Sequence, residues 1–142
     1  MKPALQRAQA MLNMTMVAVL TGSRPGVDLL PLLDRHFDFM IDLERRGLLF
    51  LSGPMQEDAV DAANSGHGLT VLNVRTIAEA RALWEGEPFQ LEGLRDARFF
   101  LWNIMEGSLR LTAELSSQSL RLERPPEWHS SRDTCNASRR TT

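Results

Sequence analysis

The stretch Asp34–Pro54, DRHFDFMIDLERRGLLFLSGP, decides how the chain folds. It places a histidine on the apolar side of a predicted helix, closes that helix at Gly47, enters a short apolar strand and ends in a Ser-Gly-Pro turn. The helix is expected from Asp28 or Leu29 to Arg46. Asp28 supplies a capping oxygen, Pro31 is tolerable because it falls in the first turn, and Gly47 stands where a left-handed residue past the helix end belongs. Arg45 and Arg46 lie at the negative end of the helix dipole, which favours that boundary. Leu29, Leu33, Phe37, Met40, Ile41 and Leu43 recur at helical spacing. His36 falls between Leu32, Leu33 and Met40 on the same stripe, so an ionisable ring is carried inward where leucine would have met the needs of packing.

The elements on either side follow from period and punctuation. Leu12–Thr21 alternates apolar and polar residues at first and turns apolar on both faces near its end, which predicts a strand covered on both sides. Gly22–Gly26 breaks it. After the central helix, Leu48–Ser52 is a continuous apolar run of strand length that Gly53-Pro54 is expected to stop. Met55–Gly68 is polar, acidic and long for a connection, which raises a lid or binding role. Leu69–Val74 is a third strand. Thr76-Ile77-Ala78-Glu79 is a capping box that opens a helix through Trp84 to Gly86. A turn at Glu87-Pro88-Phe89 leads to a fourth strand, Ala97–Met105, with aromatic residues on both faces, and Ser108–Leu115 is a candidate extra strand. Residues 1–11 read as a polar leader, 12–115 as the folded domain, and 116–142, rich in serine, arginine and proline, as a disordered tail.

Composition excludes several classes. The 142 residues carry 43% hydrophobic and 24% charged side chains, enough for one globular core. A net charge of −2 with no basic block before the tail argues against nucleic-acid binding. No apolar run approaches the ~20 residues of a membrane span, and the N-terminus lacks the apolar region of a secretory signal. One cysteine, Cys135, excludes an internal disulfide framework and suits a reducing, cytoplasmic setting. His36, His67 and His129 are scattered without metal-ligand spacing, so no metal site is expected. Phosphate loops, dinucleotide fingerprints and nucleophile elbows are absent from the sequence, and no cofactor is implied.

Strand, helix, strand, strand, helix, strand is the order of an α+β ferredoxin-like plait, in which two helices cover one face of the sheet. Apolar residues on both sides of the first and fourth strands predict that the other face is buried as well. A second copy of the same sheet would bury it, giving a homodimer.

With these elements in place, the chain resembles the YCII-related family of dimeric α+β barrel proteins, relatives in fold of muconolactone isomerases. The resemblance rests on His36 in the first long helix, Gly47, the Leu48–Pro54 run, the Ala78–Ala82 helix start and the Glu87-Pro88-Phe89…Gly93-Leu94 turn, and it covers roughly residues 14–105. It implies a histidine and carboxylate site formed by His36 and Glu87, and a chemistry like that of cofactor-free dehydrochlorinases acting on hydroxylated aromatics. Glu87 departs from the family's aspartate by one methylene, and Leu33-Asp34-Arg35 departs from the Arg-Pro-Ala type usual before the histidine.

Each candidate has a plainer reading. His36 fits a core or interface histidine as well as a general base; a histidine suits the latter because its ordinary pKa of about 6.5 lets it take and release protons near neutrality. Glu87 also reads as the end of a solvated helix turn, and His67 between two glycines as a surface loop residue. Arg24, Ser52, Gly53, Pro54, Phe89 and Trp102 are candidate substrate contacts, although an exposed arginine before proline and core aromatics explain some of them equally well. The expected function is isomerase or lyase-type proton transfer on a small hydroxylated aromatic or lactone-like compound. The alternatives are a cofactor-free quinol monooxygenase and a non-catalytic ligand-binding or accessory protein.

Overall fold

Asn13 sets the start of the sheet. Its backbone is left-handed, with φ of 56°, and its side-chain amide donates to the carbonyls of Ala8 and Met11 at 2.9 and 2.6 Å. The strand expected from Leu12 therefore begins one residue after this turn. The structure, a computed structural model, describes residues 2–56 and 66–122. The lid reading of the acidic segment falls largely on 57–65, and Cys135, His129 and most of the expected tail fall after 122, all outside the described residues. The chain divides into two units, Met1–Met105 and Glu106–Thr142.

The first unit holds α1 (Pro3–Gln9), β1 (Met14–Ser23), a 3-10 turn (Leu30–Leu32), α2 (Leu33–Arg45), β2 (Leu49–Met55), β3 (His67–Leu72), α3 (Ile77–Trp84), α4 (Pro88–Leu91) and β4 (Arg95–Ile104). The expected first long helix is split at its start. Asp28 accepts from the Leu30 N–H at 3.0 Å as foreseen, but Pro31 sits in a 3-10 turn and the α-helix proper begins at Leu33. Gly47 has φ of +72° and ends α2 in the left-handed conformation that a side chain would strain.

The four strands form one antiparallel sheet in the order β2-β3-β1-β4, the order of the ferredoxin-like plait. β2 runs on through Gly53-Pro54, which was expected to stop it. As the sheet's edge it tolerates a residue with no N–H to donate. The expected turn at Glu87 instead opens α4, with Glu87 as its N-cap. Alternation along the strands sets two faces. Val17, Val19, Leu72 and Phe99 lie under the helices and join Met40, Leu43, Ala80 and Trp84 in the core. Burying each such Val or Leu contributes about 2 kcal/mol. Met16, Ala18 and Leu20 point the other way, paired across β1 and β4 with Trp102, Phe100 and Arg98.

The second unit contains β5 (Leu111–Glu114) and β6 (Ser119–Leu122), which pair with each other in a two-stranded sheet. The candidate extra strand thus pairs within its own hairpin, and Ser119–Leu122, expected in a disordered tail, is its partner strand. The sequence reading missed β6 because its four residues alternate too briefly to stand out from the polar segment around them.

Candidate functional site

α2 and α4 bring two distant residues together. His36 is in the first turn of α2, and its Nδ1 lies 2.8 Å from Glu87 Oε1, across 51 positions of sequence. The other oxygen, Oε2, accepts the Gln90 N–H at 2.8 Å and caps α4. Both carboxylate oxygens are therefore engaged, and the Glu87 side chain is 2% exposed while that of His36 is 17% exposed. A carboxylate accepting from Nδ1–H holds the neutral imidazole in the tautomer whose Nε2 carries the lone pair.

Phe89, one residue past the Pro88 that starts α4, fixes the ring from another side. His36 stacks on it with centroids 4.7 Å apart and planes 25° from parallel. Arg95, the first residue of β4, places its guanidinium carbon 4.9 Å from the same ring centroid and donates from Nε to Ser23 Oγ at 3.1 Å. Burial lowers the Arg95 pKa from its ordinary value, and the Glu87 charge opposes that shift.

Ser23, His36, Phe89 and Arg95 line a cleft of about 1010 Å³ between α2, the loop after β1 and the helix-covered face of the sheet. Its wall is mixed. Leu33, Phe37 and Met40 come from α2, while Thr21, Ser52 and Thr70 come from the strands. The Ser52 and Thr70 hydroxyls bond to each other at 2.8 Å. Gly68 keeps that floor open, since a Cβ there would sit 2.9 Å from Thr21 Oγ1 and 3.6 Å from Arg95 Nη1.

Of the residues singled out in the sequence, His36, Arg24, Ser52, Gly53, Pro54 and Phe89 line the cleft, and Glu87 stands behind His36. Arg24 is partly committed elsewhere, paired with Asp96 at 3.0 Å. Trp102 is a correction. Its even register with Phe100 and Arg98 puts it on the opposite face of the sheet, 43% exposed and away from the cleft. His67 is the first residue of β3, exposed and at the rim of the sheet rather than in a free loop. Arg95 is an addition to the sequence-derived set: the fourth strand was expected from Ala97 and instead begins at Arg95, and parity along a strand does not say which of its faces meets the helices. Among the described residues, no three His, Cys, Asp or Glu side chains are grouped as a metal ion would require, and no helix is long and apolar enough to cross a membrane.

No protein-family model matches this chain, and no curated protein sequence matches it. The resemblance to the YCII-related family therefore rests on the sequence motifs. Among solved structures, the chain is similar to 5-chloro-2-hydroxyhydroquinone dehydrochlorinase from Burkholderia phenoliruptrix in complex with 2,5-dihydroxybenzoquinone. The two share 19% identity over 61% of this chain and 92% of that one, with a TM-score of 0.49.

Proposed function

We propose that the protein is a small-molecule enzyme that moves protons with the His36–Glu87 pair and needs no cofactor for that step. The observation that carries this reading is the 2.8 Å contact between a buried, doubly hydrogen-bonded carboxylate and the Nδ1 of a histidine whose ring lines an open cleft. A histidine serving only as packing has no need of a carboxylate held on both oxygens. In the proposed reaction Nε2 takes a proton from a hydroxyl group or from a carbon next to a carbonyl, and Glu87 stabilises the imidazolium that results. Returning the proton at another atom completes an isomerisation. Loss of an anionic leaving group from the carbanion or enolate completes an elimination.

The substrate class is a small hydroxylated aromatic or lactone-like molecule. Phe37 offers flat apolar surface, and Ser52 and Thr70 offer hydroxyls to its oxygens. The working form is a homodimer joined through the sheet face that carries Met16, Leu69 and Val71, where Phe100 and Trp102 are 42% and 43% exposed in the single chain. A single cysteine in 142 residues supports a cytoplasmic setting.

The test is turnover of a panel of phenols, hydroxyquinols and muconolactones by wild type and His36→Asn, with oxygen uptake recorded in parallel. Turnover without oxygen consumption, reduced roughly 100- to 10,000-fold in the variant, is expected. Equal turnover by a folded His36→Asn would sink the reading, and oxygen uptake with a hydroxyquinol would replace it with a monooxygenase.

A further inference from the structure

Most of the charged groups on the cleft wall already have partners. Arg24 is paired with Asp96 at 3.0 Å, Asp28 caps the Leu30 N–H at 3.0 Å, and His36 is bonded to Glu87. Arg95 differs. Among the described residues no carboxylate comes within ion-pair distance of its guanidinium. Its Nε–H is taken by Ser23, one face is against Phe89, and Nη1 lies beside the bare backbone of Gly68. Glu87 cannot serve as its counter-ion by turning, because both of its oxygens are held by His36 and Gln90.

A half-buried cation with terminal N–H groups to spare is an incomplete ion pair. Arginine presents those donors as a planar fork that matches two oxygens of a carboxylate, or the oxygen of a phenolate, and the low dielectric of a cleft strengthens such a pair. Phe89 fixes the geometry further, since the base and the cation sit 4.7 and 4.9 Å from one ring centre. Both therefore fall within reach of a single ring-sized ligand.

We propose that Arg95 is the anion-recognition group of the cleft, and that its ligand is a planar organic acid with a carboxylate or phenolate on Arg95 and a second hydroxyl at His36 Nε2. The proposal rests on the reading of the cleft as the substrate site and narrows its substrate class from hydroxylated compounds in general to anionic ones. The Arg95 cation would also offset the charge of an anionic ring, which otherwise resists loss of a second proton to His36, so recognition and proton removal support each other. Ser23 is then part of the same design, since it holds the Nε–H and so orients the fork.

The experiment is calorimetric titration of the full chain with 4-hydroxybenzoate and with 4-hydroxybenzamide, its neutral isostere, near neutral pH. Wild type is expected to bind the acid at least about tenfold more tightly than the amide. Arg95→Met should lose that preference while its affinity for the amide stays within about twofold, and Arg95→Gln should behave alike if the methionine variant does not fold. Equal binding of acid and amide by wild type, no binding of either up to about 10 mM, or a preference that survives in a folded neutral variant overturns the proposal. His36→Asn separates this from the catalytic reading. If it keeps the preference for the acid and keeps turnover, the base assignment fails while the anion site stands.

Discussion

The two faces of the four-stranded sheet invert what a free-standing domain shows. The helix-covered face, which has every reason to be apolar, turns polar at one end, where Thr21, Ser23, Ser52, Thr70 and Arg95 gather around the cleft. The face without helices, which ought to be polar, carries Met16, Ala18, Leu20, Leu69 and Val71 through its centre, with Phe100 and Trp102 still 42% and 43% exposed. Polar groups inside and apolar groups outside each carry a cost in a monomer. The first is offset if a ligand completes the hydrogen bonds and charges, and the second if another sheet covers the surface. One strand, β4, serves both roles by alternation: Arg95 belongs to the cleft, and Phe100 and Trp102 belong to the outer face.

The largest effect should come from placing charge on the outer face. Phe100→Asp combined with Trp102→Asp puts two carboxylates where the proposed partner sheet packs, and an unpaired buried charge costs several kcal/mol. The dimer should weaken by roughly 1,000-fold and light scattering should report half the mass, while each chain stays folded because both side chains are already partly exposed. If the wild type is a monomer at micromolar concentration, or the double variant remains a dimer, the outer face has another use. Ligand binding is the sharper readout. Loss of cleft affinity together with the dimer would mean that the partner copy helps to shape the cleft.

A smaller effect, confined to the inner face, is expected at Glu87. Glu87→Ala leaves the Gln90 N–H and His36 Nδ1 without their acceptor in a site from which water is nearly excluded. Removing one member of such a buried set costs about 3 kcal/mol. Glu87→Gln keeps an oxygen for the α4 cap and should cost about half of that in chemical denaturation. A loss below about 1 kcal/mol in Glu87→Ala would show that the carboxylate is not holding α4 and His36 in place.

How much of this is legible before folding depends on the range of the signal. The capping box at Thr76, the glycine at the end of α2 and the apolar stripe around His36 are local patterns, each decided within a few residues, and the structure contains all three. Their consequence for the fold, strand order β2-β3-β1-β4, follows from the chain order of the elements. Face assignment on β4 is different in kind. Aromatic residues at 99, 100 and 102 look alike in sequence, and only register against β1 decides that Phe99 meets Val19 under the helices while Trp102 meets Met16 outside. A one-residue slip would exchange them. Arg95 was hidden for the same reason, and because its neighbours Ser23, Gly68 and Phe89 come from three separate segments.

The smallest effect lies at the other acidic helix cap, and it tests whether a carboxylate at a helix start must be buried to matter. Glu79 is exposed, unlike Glu87, and spends its oxygen Oε2 on the N–H groups of Arg75 and Thr76 and on the Thr76 hydroxyl, which in turn accepts the Glu79 N–H at 3.2 Å. The Thr76 hydroxyl and the two N–H groups hold the Glu79 pKa below its ordinary value. A carboxylate whose pKa is lower folded than unfolded stabilises fully above the unfolded value of about 4.3, and that contribution disappears as pH falls through the folded value. Denaturation of wild type and Glu79→Gln should therefore differ by a constant amount above about pH 5 and converge below about pH 4. Thr76→Ala removes the main cause of the shift and should cost about 1 kcal/mol near neutral pH. It should also flatten the acid dependence, because Glu79 then titrates closer to its unfolded value. If the gap between wild type and Glu79→Gln stayed constant into acid, the capping box would be acting through hydrogen-bond geometry alone, with no contribution from its charge.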